Sequence, residues 1–451
     1  MTAIAVPAPA PAFPVRPIHL AAVAMVLAVL FPPVSQLTPR GGFERVPMVF
    51  EVLLLGCLLT RWLLVRARPP LTLPLLLLLA ATLHGLATGL WAIDEHTFVT
   101  YGARVLHAIA WAYGVYAAIG DRADLLTLLR TLHAIGCATA AVGIAQLVLP
   151  ELQADFTREN TEGAIGAALR WDDELGAGAI VRVTGTLAHP LGLALVLGCI
   201  LPWTPALWQA ARTSFGRALV ASSAAVQLIG LGLTYSRMAV LALGLAAVLW
   251  IVRGGVRHRG IVLAGLAGAG LAALPLLPAT LVERVFDPTH FEQSDSLIAR
   301  MEMQLYGSDI GMQHGFWGIG YGCYGVAYEA TAKGRYVEQA RWMLSQDDWS
   351  LYELGDVGGH NTWLEIWVEQ GVIGLAFAGA ALAVLVVQLV RASRRLPHGS
   401  LDRNLVLCGE AGLLSLFAST IVIHMQEAIV PWAWFGAVCA WTRIVNQRSP
   451  S

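Results

Sequence analysis

The sequence predicts an all-α polytopic membrane protein of about twelve transmembrane helices, with a large polar loop between the ninth and tenth. Three observations lead there. Of 451 residues, 57% are hydrophobic and only 13% are charged, roughly half the charged share of an average soluble domain. Apolar runs of about twenty residues, one bilayer's worth of helix, recur along the chain. Arginines collect in every second connection, the pattern that sets membrane orientation.

In chain order, residues 1–17 are Ala/Pro-rich with Arg16 as the only charge, which predicts a disordered cytoplasmic tail. The apolar stretch His19–Leu30 ends in Phe31-Pro32-Pro33 without a small-residue cleavage site, so the first span is expected to stay attached. Spans are predicted near 18–37, 46–65, 70–92, 98–119, 124–149, 185–208, 217–235, 237–253, 260–279, 362–390, 404–424 and 428–446. With the N-terminus inside, the cytoplasmic connections hold Arg66 and Arg68, Arg122, Arg212 and Arg217, Arg253, Arg257 and Arg259, then Arg391, Arg394, Arg395 and Arg403. Arg448 joins them in the tail at 447–451. The short outer loops are nearly free of such clusters, with Arg40 and Arg45 the exception.

Two outer segments exceed simple turns. One is 150–183, inside the helical region 18–279. The other is 280–360, which carries 12 acidic and 5 basic residues; the last helices follow over 361–446. Helices over Asp295–Tyr306 and Gly325–Leu344 are expected within the large loop. The net charge of -1 selects no class of partner, and nothing marks a nucleic-acid binder. Of six cysteines, Cys323 stands alone in the large loop, so no disulfide staples it.

Four features gather on the predicted outer face. Arg182 precedes Gly185-Thr186 and His189-Pro190 at the entrance to span six. Ser236-Arg237 occupies the tight turn between spans seven and eight. Arg300 stands upstream of the glycine-rich run Gly318–Tyr324. His360-Asn361 closes the large loop, and Thr362 with Glu365 reads as a capping box opening span ten. Several guanidinium groups around one cavity make a receptor for phosphate that stays charged at any relevant pH. An imidazole at a helix mouth suits proton transfer. Each feature alone also has a structural reading: an interfacial arginine, a loop ion pair, or a histidine that caps a helix. Ionisable residues inside spans, among them His84, Arg104, His107, Arg130, His133 and Glu410, read as structural pairs. There is no Asp-x-Asp, and no His/Cys/carboxylate set has metal-ligand spacing.

Taken together these residues resemble the O-antigen ligase family of the bacterial surface-polysaccharide ligase and polymerase superfamily. That family shows a His followed by Asn, Ser or Gln, nine residues, then Gly-x-x-Gly. His360-Asn361, residues 362–370, Gly371 and Gly374 fit without a gap. Ser236-Arg237 looks like the family's arginine between two spans, and Arg300 like its loop arginine. The Arg182…His189-Pro190 stretch is similar to the pattern ahead of span six, although Leu191 stands where Asn often follows.

The resemblance implies a metal-independent, cofactor-free, inverting glycosyl transfer on the periplasmic face of the bacterial inner membrane. The donor would be a glycan on undecaprenyl pyrophosphate and the acceptor lipid A–core. His360 would be the catalytic base, Arg237, Arg300 and Arg182 the diphosphate receptor, and Asn361, Ser236, Gly371 and Gly374 supporting residues. A polymerase or a protein O-oligosaccharyltransferase using the same donor is the alternative. A lipid-linked glycan transporter would place its charges at mid-membrane instead.

Overall fold

The computed structural model describes residues 16–30, 52–59, 71–149, 182–187, 190–254, 295–331, 361–421 and 429–448. All regular structure among them is helical. The helices are α1 (Pro17–Leu30), α2 (Leu73–Ala87), α3 (Glu95–Ala118), α4 (Arg122–Gln146), α5 (Pro190–Ile200), α6 (Thr204–Ala210), α7 (Ser214–Leu233), α8 (Arg237–Arg253), α9 (Asp295–His314), α10 (Tyr324–Thr331), α11 (Thr362–Arg395), α12 (Leu401–Thr420) and α13 (Ile429–Arg448). A further helical stretch covers 52–59.

Five of these segments are long and apolar enough to cross a membrane: Leu73–Leu90, Arg122–Gln146, Pro190–Ala210, Ser214–Leu233 and Thr362–Arg395. The chain is thus a multi-pass membrane protein, but the expected count of twelve is not reproduced. Of the other predicted spans, α1 and α8 are shorter, with 14 and 17 residues. The helices α3, α12 and α13 are long enough but carry groups such as Arg104, Glu410 and Arg443. Residues 260–279 lie outside the described ones. Span six, expected from 185, starts at Pro190, because 184–187 is a turn.

Helix boundaries follow local chemistry. Asp94, Asp121, Thr213 and Ser400 cap α3, α4, α7 and α12, each accepting a backbone N–H three residues on. The sequence Leu201-Pro202 tightens the α5–α6 junction into a 3₁₀ turn. Where helices cross, indoles fill the core: Trp203 lies 6.3 Å from Trp434, and both are buried with Trp441 and Tyr116.

One end of the bundle is a basic collar. Arg253 pairs with Glu410 and donates to Ser393 Oγ. Arg403 donates to Ser393 O and Arg253 O, and Arg122 pairs with Asp402 at 3.1 Å. Arg443 reaches Ile119 O, and Arg16 lies 3.5 Å from Asp124. These are ends that the arginine pattern assigns to one side. Helix α8 is about 24 Å long between Arg237 and Arg253, so Arg237 stands at the opposite end. The beginning of α11 and the end of α12 meet at that end too, where Trp363 Nε1 donates to Thr420 Oγ1.

Candidate functional site

The end opposite the basic collar is built on a broken helix. Within α11, Gly371 has φ 69° and ψ -173°, which interrupts the helix. The break frees backbone groups that would be costly to leave unpaired at membrane depth. Each finds a partner. Val368 O and Glu369 O accept from Ile319 N and Gly320 N, both at 3.0 Å, and Val372 N donates to Gly315 O at 2.8 Å. His84 Nε2, from α2, donates to Gln370 O at 2.7 Å. The run 315–323 therefore supplies the backbone partners that the helix has lost.

That run is itself held from behind. Ile93 N donates to Ile319 O, and Trp91 Nε1 donates to Gly318 O. Tyr324 N donates to the buried carboxylate of Glu369. Gly318 has φ 79°, and a Cβ there would sit 2.3 Å from Glu369 O, so only glycine permits the approach. Gly374 leaves the space that the Gln370 side chain fills. The Gly-x-x-G spacing and the Gly318–Tyr324 run, two separate sequence signals, form one interlocked unit.

Above the break, Asn361 caps α11. Its side-chain oxygen accepts from Trp363 N at 3.1 Å and Leu364 N at 3.2 Å. This corrects the capping-box expectation: Asn361, not Thr362, is the cap, and Glu365 is turned into the protein with no exposed surface. Glu365 and Glu369 lie one turn apart on this face, beside Tyr324. Burial above all, then Glu365, raises the Tyr324 phenol beyond its usual range. Burial likewise pushes the Cys323 thiol up to about 11, so it stays protonated and unreactive. Asp94 shows the opposite shift: the Thr97 N–H at 2.6 Å holds its carboxyl below the usual value.

The second cluster is the turn between α7 and α8. Thr234 ends α7, and Tyr235 takes the left-handed conformation (φ 51°) in which a glycine commonly follows a helix. Ser236 is the buried N-cap residue of α8, which places the exposed Arg237 at its first position. Arg182 is brought to the same turn: its Nε donates to Thr234 O at 3.0 Å, and Val183 N donates to Leu233 O.

Gln146, which the sequence reading passed over, holds that segment. It is fully buried, and its Oε1 accepts from Thr184 N and Gly185 N, both at 3.0 Å. Its Nε2 donates to Gly185 O at 2.7 Å. Replacing Gln146 with Leu should strand these backbone groups and lower stability by at least about 2 kcal/mol. Thermal unfolding of the detergent-solubilised variant checks this, and an unchanged midpoint would show that the segment does not depend on the clamp.

Of the predicted site residues, Arg182, Ser236 and Arg237 are thus brought together at one turn. Asn361, Gly371 and Gly374 sit on α11 at the same end of the bundle. Arg300 falls in α9, which is longer than expected and packs along the start of α11; its side chain, like His360 and His189, lies outside the described residues.

Residues 222–379 match the family model described as O-antigen ligase (Wzy_C). Over this stretch the chain is similar to the O-antigen ligase family. The ligase segment runs from within α7 to just past the break in α11, so it contains Arg237, Arg300, the Gly318–Tyr324 run, His360 and both motif glycines. Arg182 and the helices that brace the break, α2 and α3, fall outside it. A comparison with curated proteins gave no match.

Proposed function

We propose that the protein moves a glycan from undecaprenyl pyrophosphate onto lipid A–core at the periplasmic face of the inner membrane. One observation carries this reading: the Arg182–Arg237 turn and the capped head of α11, which follows His360 in the chain, occupy the same end of the bundle, and the ligase match spans the Arg237 and His360 motifs.

In the proposed step the acceptor hydroxyl attacks the anomeric carbon as the bond to the diphosphate oxygen breaks, inverting the centre. His360 takes the hydroxyl proton. The departing diphosphate carries the negative charge away, and Arg237, Arg182 and Arg300 stabilise it as it develops. Three permanent cations serve in the role that a divalent ion plays elsewhere, so the transfer is expected to be metal-independent. A polymerase would share the donor and the charge arrangement and differ in its acceptor.

Purified protein, a defined glycan on undecaprenyl pyrophosphate, and either lipid A–core or a second lipid-linked glycan test the reading. Transfer to lipid A–core that survives EDTA is the expected result. Transfer only to the second lipid-linked glycan would make the protein a polymerase. Loss on chelation with recovery in Mg²⁺ would reject the arginines as the charge-neutralising device. Arg237→Ala should remove most transfer, and Arg237→Lys should stay impaired if the contact is bidentate.

A further inference from the structure

Beside the helix break lies an open groove of about 830 Å³. Its walls carry the rings of Trp91, Phe316, Trp317 and Trp367, with Gln313 and His314 among them. Trp91 and Trp317 meet edge to face at 6.0 Å, and Phe316 and Trp317 at 4.9 Å. Trp317 and Phe316 are more than half exposed, at 56% and 59%. The hydrogen bonds that satisfy the break come from the main chain of 315–320 and from His84, not from the rings of Phe316 and Trp317.

The depth of the groove follows from the two spans that flank it. Between Gly371 and Arg391 helix α11 carries only one polar side chain, Gln388, over about 30 Å, the thickness of the hydrocarbon layer. Val372, at the top of that run, lines the groove and is 49% exposed. Helix α2 and its 3₁₀ extension end at Leu90, which is 87% exposed, immediately before Trp91. Both spans therefore put the groove at headgroup level, where indoles are favoured, and its floor continues into lipid-facing surface.

Its place in the bundle is equally defined. Helix α11 meets α2 at His84–Gln370 and α12 at Trp363–Thr420. Helix α12 in turn meets α8 at Arg253–Glu410. The groove is on the α2 side of α11, and Arg237 is on α8, beyond α12.

We infer that this groove seats the membrane-proximal sugar of the lipid-anchored acceptor, an inference that rests on the glycan-transfer reading above. A sugar ring presents apolar C–H faces to indoles and hydroxyls to groups such as Gln313 and His314. A sugar attached to acyl chains in the outer leaflet lies at this depth. The α2 flank leaves the arginine turn to the donor, so the two lipids approach the head of α11 from different sides and do not compete.

The full chain in nanodiscs tests this by direct binding, with fluorescent lipid A–core as one probe and a glycan on undecaprenyl pyrophosphate as the other. Trp317→Ala should weaken lipid A–core binding about tenfold, the loss of one ring contact. Trp317→Phe should recover part of it, and donor affinity should be unchanged. Gln313→Ala, on an exposed side chain, should also weaken the acceptor and decides the matter if Trp317→Ala folds poorly. A weakened donor with an unchanged acceptor would overturn the assignment in favour of the polyprenyl chain. No change in either would leave the groove a membrane anchor and end the proposal. If wild type transfers glycan while the variants bind lipid A–core normally, the groove assignment fails and the transfer reading survives. If wild type neither binds nor glycosylates lipid A–core, both fail.

Discussion

Gly371→Ala is expected to abolish transfer and to lower the yield of folded protein sharply. The residue sits at φ 69°, where an L side chain is strained by about 1–3 kcal/mol. A Cβ there would also lie 2.1 Å from Phe316 O and 2.8 Å from the Trp317 carbonyl carbon. Those are main-chain atoms, so no rotamer change relieves the overlap. Relief needs either 315–318 to withdraw or α11 to straighten. Both take the hydrogen bonds from Ile319, Gly320 and His84 away from the carbonyls of 368–370. Gly379→Ala, two turns further along the same helix, meets nothing within 4 Å and should be neutral. Detergent-solubilised yield, thermal midpoint and transfer rate for the pair measure the difference. Equal behaviour would show that the break is not required.

His360→Ala is expected to cost about 10²–10⁴-fold in single-turnover transfer, the usual contribution of a general base. The residue precedes Asn361, whose side chain fixes the first turn of α11, so the alanine variant should keep its fold and its donor affinity. His360→Gln can still hydrogen-bond but cannot take the proton. Wild type should therefore show a falling rate toward acidic pH that is missing from His360→Gln. A variant that keeps this acidic limb, or that loses donor binding instead, would make His360 a binding residue and move the base elsewhere.

The apolar runs and motif residues mark where these features lie in the chain but not how they fit together. Span positions followed from apolar runs, and the described helices fall on most of them because a bilayer sets length and hydropathy together. Pairing inside the bundle was not legible. His84 reads as a structural group of the bundle, but its partner, the Gln370 carbonyl at the break, is 286 residues away and has no local signal. Gln146 is one of several polar residues in α4, and nothing local signals that it clamps residues 38 and 39 positions away. The glycines of 318–322 were weak evidence alone, because the feature that requires them is a helix interruption some fifty residues later. The cap was misassigned for a related reason. Thr362 and Glu365 have the right spacing, but Glu365 is drawn into the interior, and Asn361 is left to serve the free N–H groups.

The way 315–323 is sewn to α11 on one side and to residues 91–94 on the other makes the ligase segment unsuited to exchange as a cassette. Its signature geometry borrows Ile93, Trp91 and His84 from outside the 222–379 match. A chimera that imports only that stretch from a relative would keep the pairing of 315–320 with 368–372 but only one half of each of these three bracing hydrogen bonds. Swaps meant to redirect acceptor choice should carry the α2–α3 corner with them.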